Sequence, residues 1–433
     1  MKRLLIILPS AFGLLLGGCQ YNPSQRTAPD AINSQTDSLF EKLVAVRRDL
    51  HQHPEVAGNE SRTSATISAH LREMGLEVQT GQYGHSVIGI LRGGLPGKTV
   101  AWRAELDALP GEFRDPAPFR SQKSGVHHAC GHDIHIAIAL GIAEVLAKQR
   151  ESLRGTVVFV FQPEEETFKG AKGLIDRGVF SPITPDEIYG LHVTALPVGQ
   201  IAVRADEMFG YQRRVSIRLK NELSRADIVR LTKNVNNELS RSRAGAKPWE
   251  IQNIADPVVG LTSPGTAFQD YLIMDAAFDA RTENEELVLD FYLYETSASK
   301  LGGIIPRIER VIAASGHKSR LVSVSYVQEN PTVLNEASLT RFAIRTLQRS
   351  RGVGAVRPAF GQAPYFNDDF AYFQQKIPGV YFFLGGSNAE KGLIAMNHAP
   401  DFQVDEESIR VGVSSFSSLI MARLGTPDQA EQD

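Results

Sequence analysis

The chain has 433 residues, enough for two domains, with 42% hydrophobic and 22% charged residues, the balance of a soluble globular protein. Its net charge is −3 and no long basic run occurs, which argues against nucleic acid as a partner, because phosphate binding needs a concentrated basic surface.

The chain opens on "MKRLLIILPSAFGLLLGGCQ". Lys2 and Arg3 precede an apolar run from Leu4 to Leu16, then Gly17, Gly18 and Cys19, the order of a secretory signal peptide over residues 1–18. The run is shorter than the ~20 apolar residues that span a bilayer. Leu16-Gly17-Gly18-Cys19 resembles the lipobox of bacterial lipoproteins. That resemblance implies an acylated Cys19 and a chain anchored in the cell envelope. Gln20 after the cysteine implies the outer membrane, facing the periplasm. Residues 19–37 are polar, with Pro and Ser, and read as a tether.

A helix is expected from Ser38, with Leu39, Phe40, Leu43, Val46 and Leu50 on one face, ending near Pro54. A second is expected over 63–74, closed by Gly75. Strands and helices then alternate: strand 99–106, helix 134–148 with Asp133 as its cap, and strands 155–162, 187–193 and 379–386. "GTVVFVFQ" is nearly continuous in apolar residues, as in a strand buried within a parallel sheet. Between these, the order is β-α-β-β-α-β: strand 213–220, helix 224–241, strands 271–279 and 287–294, helix 300–314 kinked at Pro306, and strand 320–328. That order is a ferredoxin-like unit. The expected fold is α/β: a catalytic domain (38–207 and 329–433) with a mostly parallel sheet flanked by helices, and an inserted ferredoxin-like α+β lid (208–328).

"HHACGHDIHIA" (127–137) concentrates four histidines, a cysteine and an aspartate in a chain of only two cysteines and eleven histidines. If Cys19 carries lipid, Cys130 has no disulfide partner. A free thiol in an oxidising compartment needs an occupant, and a metal ion is one, since thiolate is a metal ligand. Other candidate groups fall after or at the ends of expected strands: Asp107, Glu164, Glu165, Glu166, His192 and His398. Open α/β sheets gather their ligands at the carboxyl ends of strands. Cys130, His132, Glu166, His192 and His398 make five donors. That is too many for one tetrahedral catalytic site and enough for two divalent ions sharing a ligand, with Zn²⁺, Mn²⁺, Co²⁺ and Ni²⁺ all suited. Such a pair favours a hydroxide nucleophile.

Seven motifs occur in a set order: "RRDLHQHPE" (47–55), "RAELDALP" (103–110), "HACGHDIH" (128–135), "FQPEEE" (161–166), "GLHV" (190–193), "NDDFAYF" (367–373) and "NHAPDFQVDEESI" (397–409). Together they resemble the metal-dependent amidohydrolases that include hippurate hydrolases, indole-3-acetyl-amino-acid hydrolases and N-acetyldiaminopimelate deacetylases, a branch of the co-catalytic zinc carboxypeptidase-like peptidases. The resemblance covers roughly 38–207 and 329–423. It implies that the five donors are metal ligands, with Cys130 the bridge, and that Glu165 is the general base. Asp107 would orient a ligand or tune the metal. It also implies a small N-acyl amino acid or peptide as substrate, and it allows a homodimer. Glu164 is an extra carboxylate, Glu105 replaces the family's usual Asp, and His127 stands where Met is usual. His51 and His53 read as structural groups at a helix end, His127 and His128 as neighbours of the site, His135 as packing or support. Asp368 and Asp369 read as stabilisers of their loop.

The inserted unit departs from the family. Relatives carry a histidine after the first lid strand, an "NxIP" element and a "GTxR" strand end; residues 217–229 and 278–295 lack all three, and His317 is the only histidine from Met208 to Gln328. Arg213, Arg214 and Arg281 are candidate anion-binding substitutes. The leading reading is a binuclear metal-dependent amidohydrolase. A metal-binding protein of the same fold without turnover, and a dipeptidase-like metallopeptidase, remain alternatives.

Overall fold

A computed structural model describes residues 28–181, 183–220 and 223–425. The expected signal peptide and Cys19 lie outside them. No helix among the described residues is long and apolar enough to cross a membrane.

The main sheet has eight strands, in the spatial order Glu77–Thr80, Val87–Arg92, Arg154–Gln162, Leu95–Glu105, Glu187–Pro197, Gly379–Ser387, Ile201–Val203, Val356–Pro358. The four strands at its centre run parallel to one another. Arg154–Gln162 shows why they sit there. Val157, Phe159 and Phe161 point to one face and Val158 and Val160 to the other, and all five are buried in hydrophobic clusters. Burying each such side chain contributes about 1.5–3 kcal/mol relative to exposure.

Among the described residues five helices cover one face: Ala28–Gln52, Ser61–Glu73, His132–Ala147, Ala337–Arg351 and Glu407–Gly425. The middle one is buried almost all round, as expected for a helix apolar on every side. It approaches its neighbours closely at Gly141, where a Cβ would meet Val413 Cγ2 at 2.4 Å and Leu43 Cδ1 at 2.7 Å. The first helix begins at Ala28, so residues 28–37 are helical rather than a tether, and Ile32, Thr36 and Leu39 are already buried.

The second sheet has the order Leu272–Met274, Glu286–Glu295, Tyr211–Lys220, Leu321–Glu329, all antiparallel, which is the split βαβ arrangement of a ferredoxin-like unit. The expected strand 271–279 is instead two short pieces, Leu272–Met274 and Asp279–Glu283, both paired with Glu286–Glu295. The expected kink at Pro306 is a break: Ala298–Leu301 ends before Gly302, and Ile304–Ala314 starts anew. Pro306 then lies in a first helical turn, where its missing N–H costs nothing. Arg241 still bridges Leu272 at the edge of this sheet, and the residues beyond it turn away from the unit. Ile254, Leu261, Phe268 and Tyr271 pack with Phe209, Phe370 and Phe383 on the second face of the main sheet.

Candidate metal centre

The strands Leu95–Glu105 and Glu187–Pro197 pair only from Val100/Glu187 to Trp102/Tyr189. Beyond that point His135 links them. Its Nδ1 donates to Glu105 Oε2 at 2.8 Å, and its Nε2 accepts the Val193 N–H at 2.9 Å. Both ring nitrogens are satisfied, so His135 is support and not a ligand. Arg103 ties the same region together. Fully buried, it donates to Gln162, Glu105 and Asp369 and pairs with Asp368, whose carboxylate also takes the Tyr381 hydroxyl. Against the upward push of burial, Arg103 and His135 hold the Glu105 carboxyl well below its ordinary range.

Gly131 turns the chain into the helix His132–Ala147. It is left-handed at φ 89°, and a Cβ there would lie 2.4 Å from Val193 Cγ1. The helix therefore starts at His132 with Gly131 as its cap, and Asp133 sits in the first turn instead of capping. The turn places Cys130 and His132 on either side of it. His132 Nδ1 donates to the Asp107 carbonyl at 2.7 Å, which leaves Nε2 facing the site with no hydrogen-bond partner. His192 Nδ1 donates to the Val193 carbonyl at 2.8 Å, and its Nε2 lies 3.3 Å from Cys130 Sγ. His398 Nε2 lies 3.2 Å from Cys130 Sγ and 3.4 Å from Glu166 Oε1.

The three consecutive glutamates diverge. Asp107 accepts the Glu165 N–H at 3.1 Å through Oδ1 and the Glu166 N–H at 3.0 Å through Oδ2. Thus held, Glu165 Oε2 and Glu166 Oε1 stand 3.9 and 4.0 Å from His132 Nε2. Glu164 has φ 56° and its side chain lies beside Gly58 and Gly84, away from the other two. Asp107 is fully buried and does not line the cavity beside these groups, so its place is that of a positioning residue.

The five expected donors thus come together in two sets, Cys130–His132–His192 and Cys130–Glu166–His398, each with its donor atoms within 4.8 Å of one another. Cys130 belongs to both, as a bridging ligand must. The donor chemistry fits divalent cations. His132 Nε2 is buried without a hydrogen-bond partner, and Glu166 Oε1 meets only the neighbouring imidazoles. Burial and the His135 ring push the His192 imidazole down to about 3, which keeps it the neutral ligand a metal requires. Burial, Glu166 and Glu165 push the Cys130 thiol well above its usual range, a penalty that a bound cation reverses.

Above these groups lies a cavity of about 480 Å³ between the two sheets. Its roof carries Gln212, Tyr292, Tyr294, Gln328 and Asn330. The carboxamides are linked: Asn330 donates to Gln212 at 2.8 Å, Gln212 to the Tyr294 hydroxyl at 3.1 Å, and Gln328 to Asn330 at 3.1 Å. None of these roof residues was singled out from sequence. A signal existed, since alternation along "LVLDFYLY" puts Tyr292 and Tyr294 on one face, opposite Phe291 and Leu293. No arginine, lysine or inserted-unit histidine lines the cavity among the described residues. Arg213 bonds the Gln212 and Asn330 carbonyls, Arg214 and Arg281 pair with Asp290, and His317 precedes the strand Leu321–Glu329. None of the three arginines is thus an anion-binding substitute here.

Residues 101–422 match the peptidase family M20/M25/M40. The chain is 31% identical to thermostable carboxypeptidase 1 of Saccharolobus solfataricus over 90% of this chain and 97% of that one. It is 31% identical to the N-acetylcysteine deacetylase of Bacillus subtilis, over 89% and 97%. Among solved structures, it superposes on the YXEP protein of Bacillus subtilis, described as a dinuclear metal binding peptidase from the M20 family. The TM-score is 0.70 at 26% identity, covering 90% of this chain and all of that one. Motif order, fold and donor geometry converge with these likenesses: the chain belongs to the peptidase family M20/M25/M40.

Proposed function

We propose that the protein is a binuclear metal-dependent hydrolase of the amide bond in N-acyl amino acids or small peptides. The observation that carries this reading is the meeting of His132, Glu166, His192 and His398 around Cys130, with Glu165 beside them. Divalent ions held by these five residues supply Lewis acidity toward the scissile carbonyl and acidify water. Glu165 takes the proton from the attacking water and passes it to the leaving nitrogen as the carbon–nitrogen bond breaks. Asp107 fixes the backbone of Glu165 and Glu166, and so the direction of both carboxylates. In place of the absent lid histidine, the Tyr294 hydroxyl and the roof carboxamides are the donors open to a developing oxyanion, while the Tyr292 hydroxyl already donates to Gln328 at 3.2 Å. One such donor is typically worth ~2.7–4 kcal/mol.

A panel of N-acetyl and N-benzoyl amino acids, their carboxamides and dipeptides tests the reading, with and without a chelator. Hydrolysis should vanish on chelation and return with Mn²⁺ or Zn²⁺. Because no lysine or arginine among the described residues lines the cavity, a carboxamide should be cleaved about as well as its free acid. Hydrolysis that survives complete metal removal would contradict the mechanism. For location, the lipobox-like ending at Cys19 supports an acylated chain anchored at the outer membrane. Cys19→Ser should then shift the chain out of the membrane fraction, and a wild-type chain found wholly in the soluble fraction would overturn this.

A further inference from the structure

A second buried cluster of donors lies outside the centre described above. His51, at the end of helix Ala28–Gln52, points Nε2 at Asp115 Oδ2 from 2.8 Å. His127, on the short strand Val126–His127, points its Nε2 at the same oxygen from 2.9 Å. The two rings meet edge to face with centroids 4.8 Å apart. All three side chains are at least nine-tenths buried. Asp115 has no lysine or arginine partner among the described residues; its other oxygen accepts the Ala117 N–H at 2.9 Å.

From these contacts we propose that His51, Asp115 and His127 form a further divalent-cation site, independent of the Cys130 centre. Three features favour a cation over a closed hydrogen-bonded cluster. His127 Nδ1 has no hydrogen-bond partner, and its Nε2 has only the Asp115 oxygen that His51 already shares, 2.9 Å away. His51 turns its other nitrogen to Asp133 Oδ2 at 2.8 Å, and Arg47 holds that carboxylate from 2.8 Å. A carboxylate on the far nitrogen is the usual support of a metal-binding imidazole, since it fixes ring and tautomer. Finally, His51 and Asp115 open onto a cavity of about 540 Å³, which gives an ion an entry path and room for water to complete its shell.

Two imidazoles and one carboxylate suit Zn²⁺, which binds nitrogen and oxygen donors at about 2.0–2.2 Å. Such an ion would join three segments: the end of the first helix, the loop carrying Asp115, and the strand leading into Cys130 and His132.

The test is elemental analysis of the full chain equilibrated with Zn²⁺, for wild type, His127→Met, Asp115→Asn and Cys130→Ser. Wild type should bind one equivalent more than His127→Met or Asp115→Asn. Both variants should keep the sulfur-to-metal charge-transfer band of the Co²⁺-loaded Cys130 centre, which also reports that they fold. Cys130→Ser should lose that band and retain the equivalent assigned to His127. Equal metal content in wild type, His127→Met and Asp115→Asn would overturn the proposal. An empty Cys130 centre would instead count against the hydrolase reading alone.

Discussion

Glu165→Gln should keep its fold and its metals and lose about 10²–10⁴-fold in kcat, the usual worth of a positioned general base. Gln has the size of Glu and cannot accept the proton from water. Glu165 is buried, and burial together with Asp368 and Glu166 pushes its carboxyl well above the ordinary range. Gln is neutral, the state these surroundings favour for the side chain, so thermal stability should not fall. Glu164→Gln is the matched control. Its side chain lies beside Gly58 and Gly84, and its kcat should equal that of wild type. An inactive Glu164→Gln alongside an active Glu165→Gln would show that the roles of the triple glutamate are misassigned.

Arg103→Met should cost about 3–5 kcal/mol of stability, the range for removing one member of a buried charged network. Among the described residues Arg103 is the only lysine or arginine paired with Glu105, Asp368 and Asp369, and these four side chains lie within 2% of full burial. Without the guanidinium, carboxylates remain unpaired in the interior beneath the Cys130 centre. Arg103→Lys should recover only part of the loss, because an ammonium cannot bond several carboxylates in one plane. Denaturant midpoints at constant slope measure both variants, and a loss below about 1 kcal/mol would place the network outside the fold's main supports.

Much of the fold is legible in the order of apolar residues. "GTVVFVFQ" reads as a buried strand, and the inserted unit keeps its β-α-β-β-α-β order, with its second strand and second helix each in two pieces. What escaped had physical causes. Residues 28–37 are polar enough to read as tether, yet Ile32 finds partners once distant helices assemble. Asp133 looks like a helix cap until Gly131, left-handed and pressed on Val193, takes that place; Asp133 instead pairs with Arg47 and His51. Residues 240–271 carry isolated apolar side chains without a period, so their docking on the main sheet is invisible locally.

The site was more legible than its surroundings. Five donors chosen by residue type and position converge on Cys130, because strand ends and one glycine turn bring them there. The roof of the cavity was not read, since Gln, Asn and Tyr carry no chemistry that marks them in a sequence. The pair His51 and His127 looked like bystanders because their partner, Asp115, sits in a loop that no periodicity singles out.

Anomalous scattering from crystals of the full chain, grown with Mn²⁺ or Zn²⁺ and recorded at the metal edge, tests the central claim most directly. The account predicts two peaks that both lie within bonding distance of Cys130 Sγ, one shared with His132 and His192 and the other with Glu166 and His398. A protein supplied with metal that shows no peak at Cys130, or a single ion that leaves one of these sets without a cation, would contradict it.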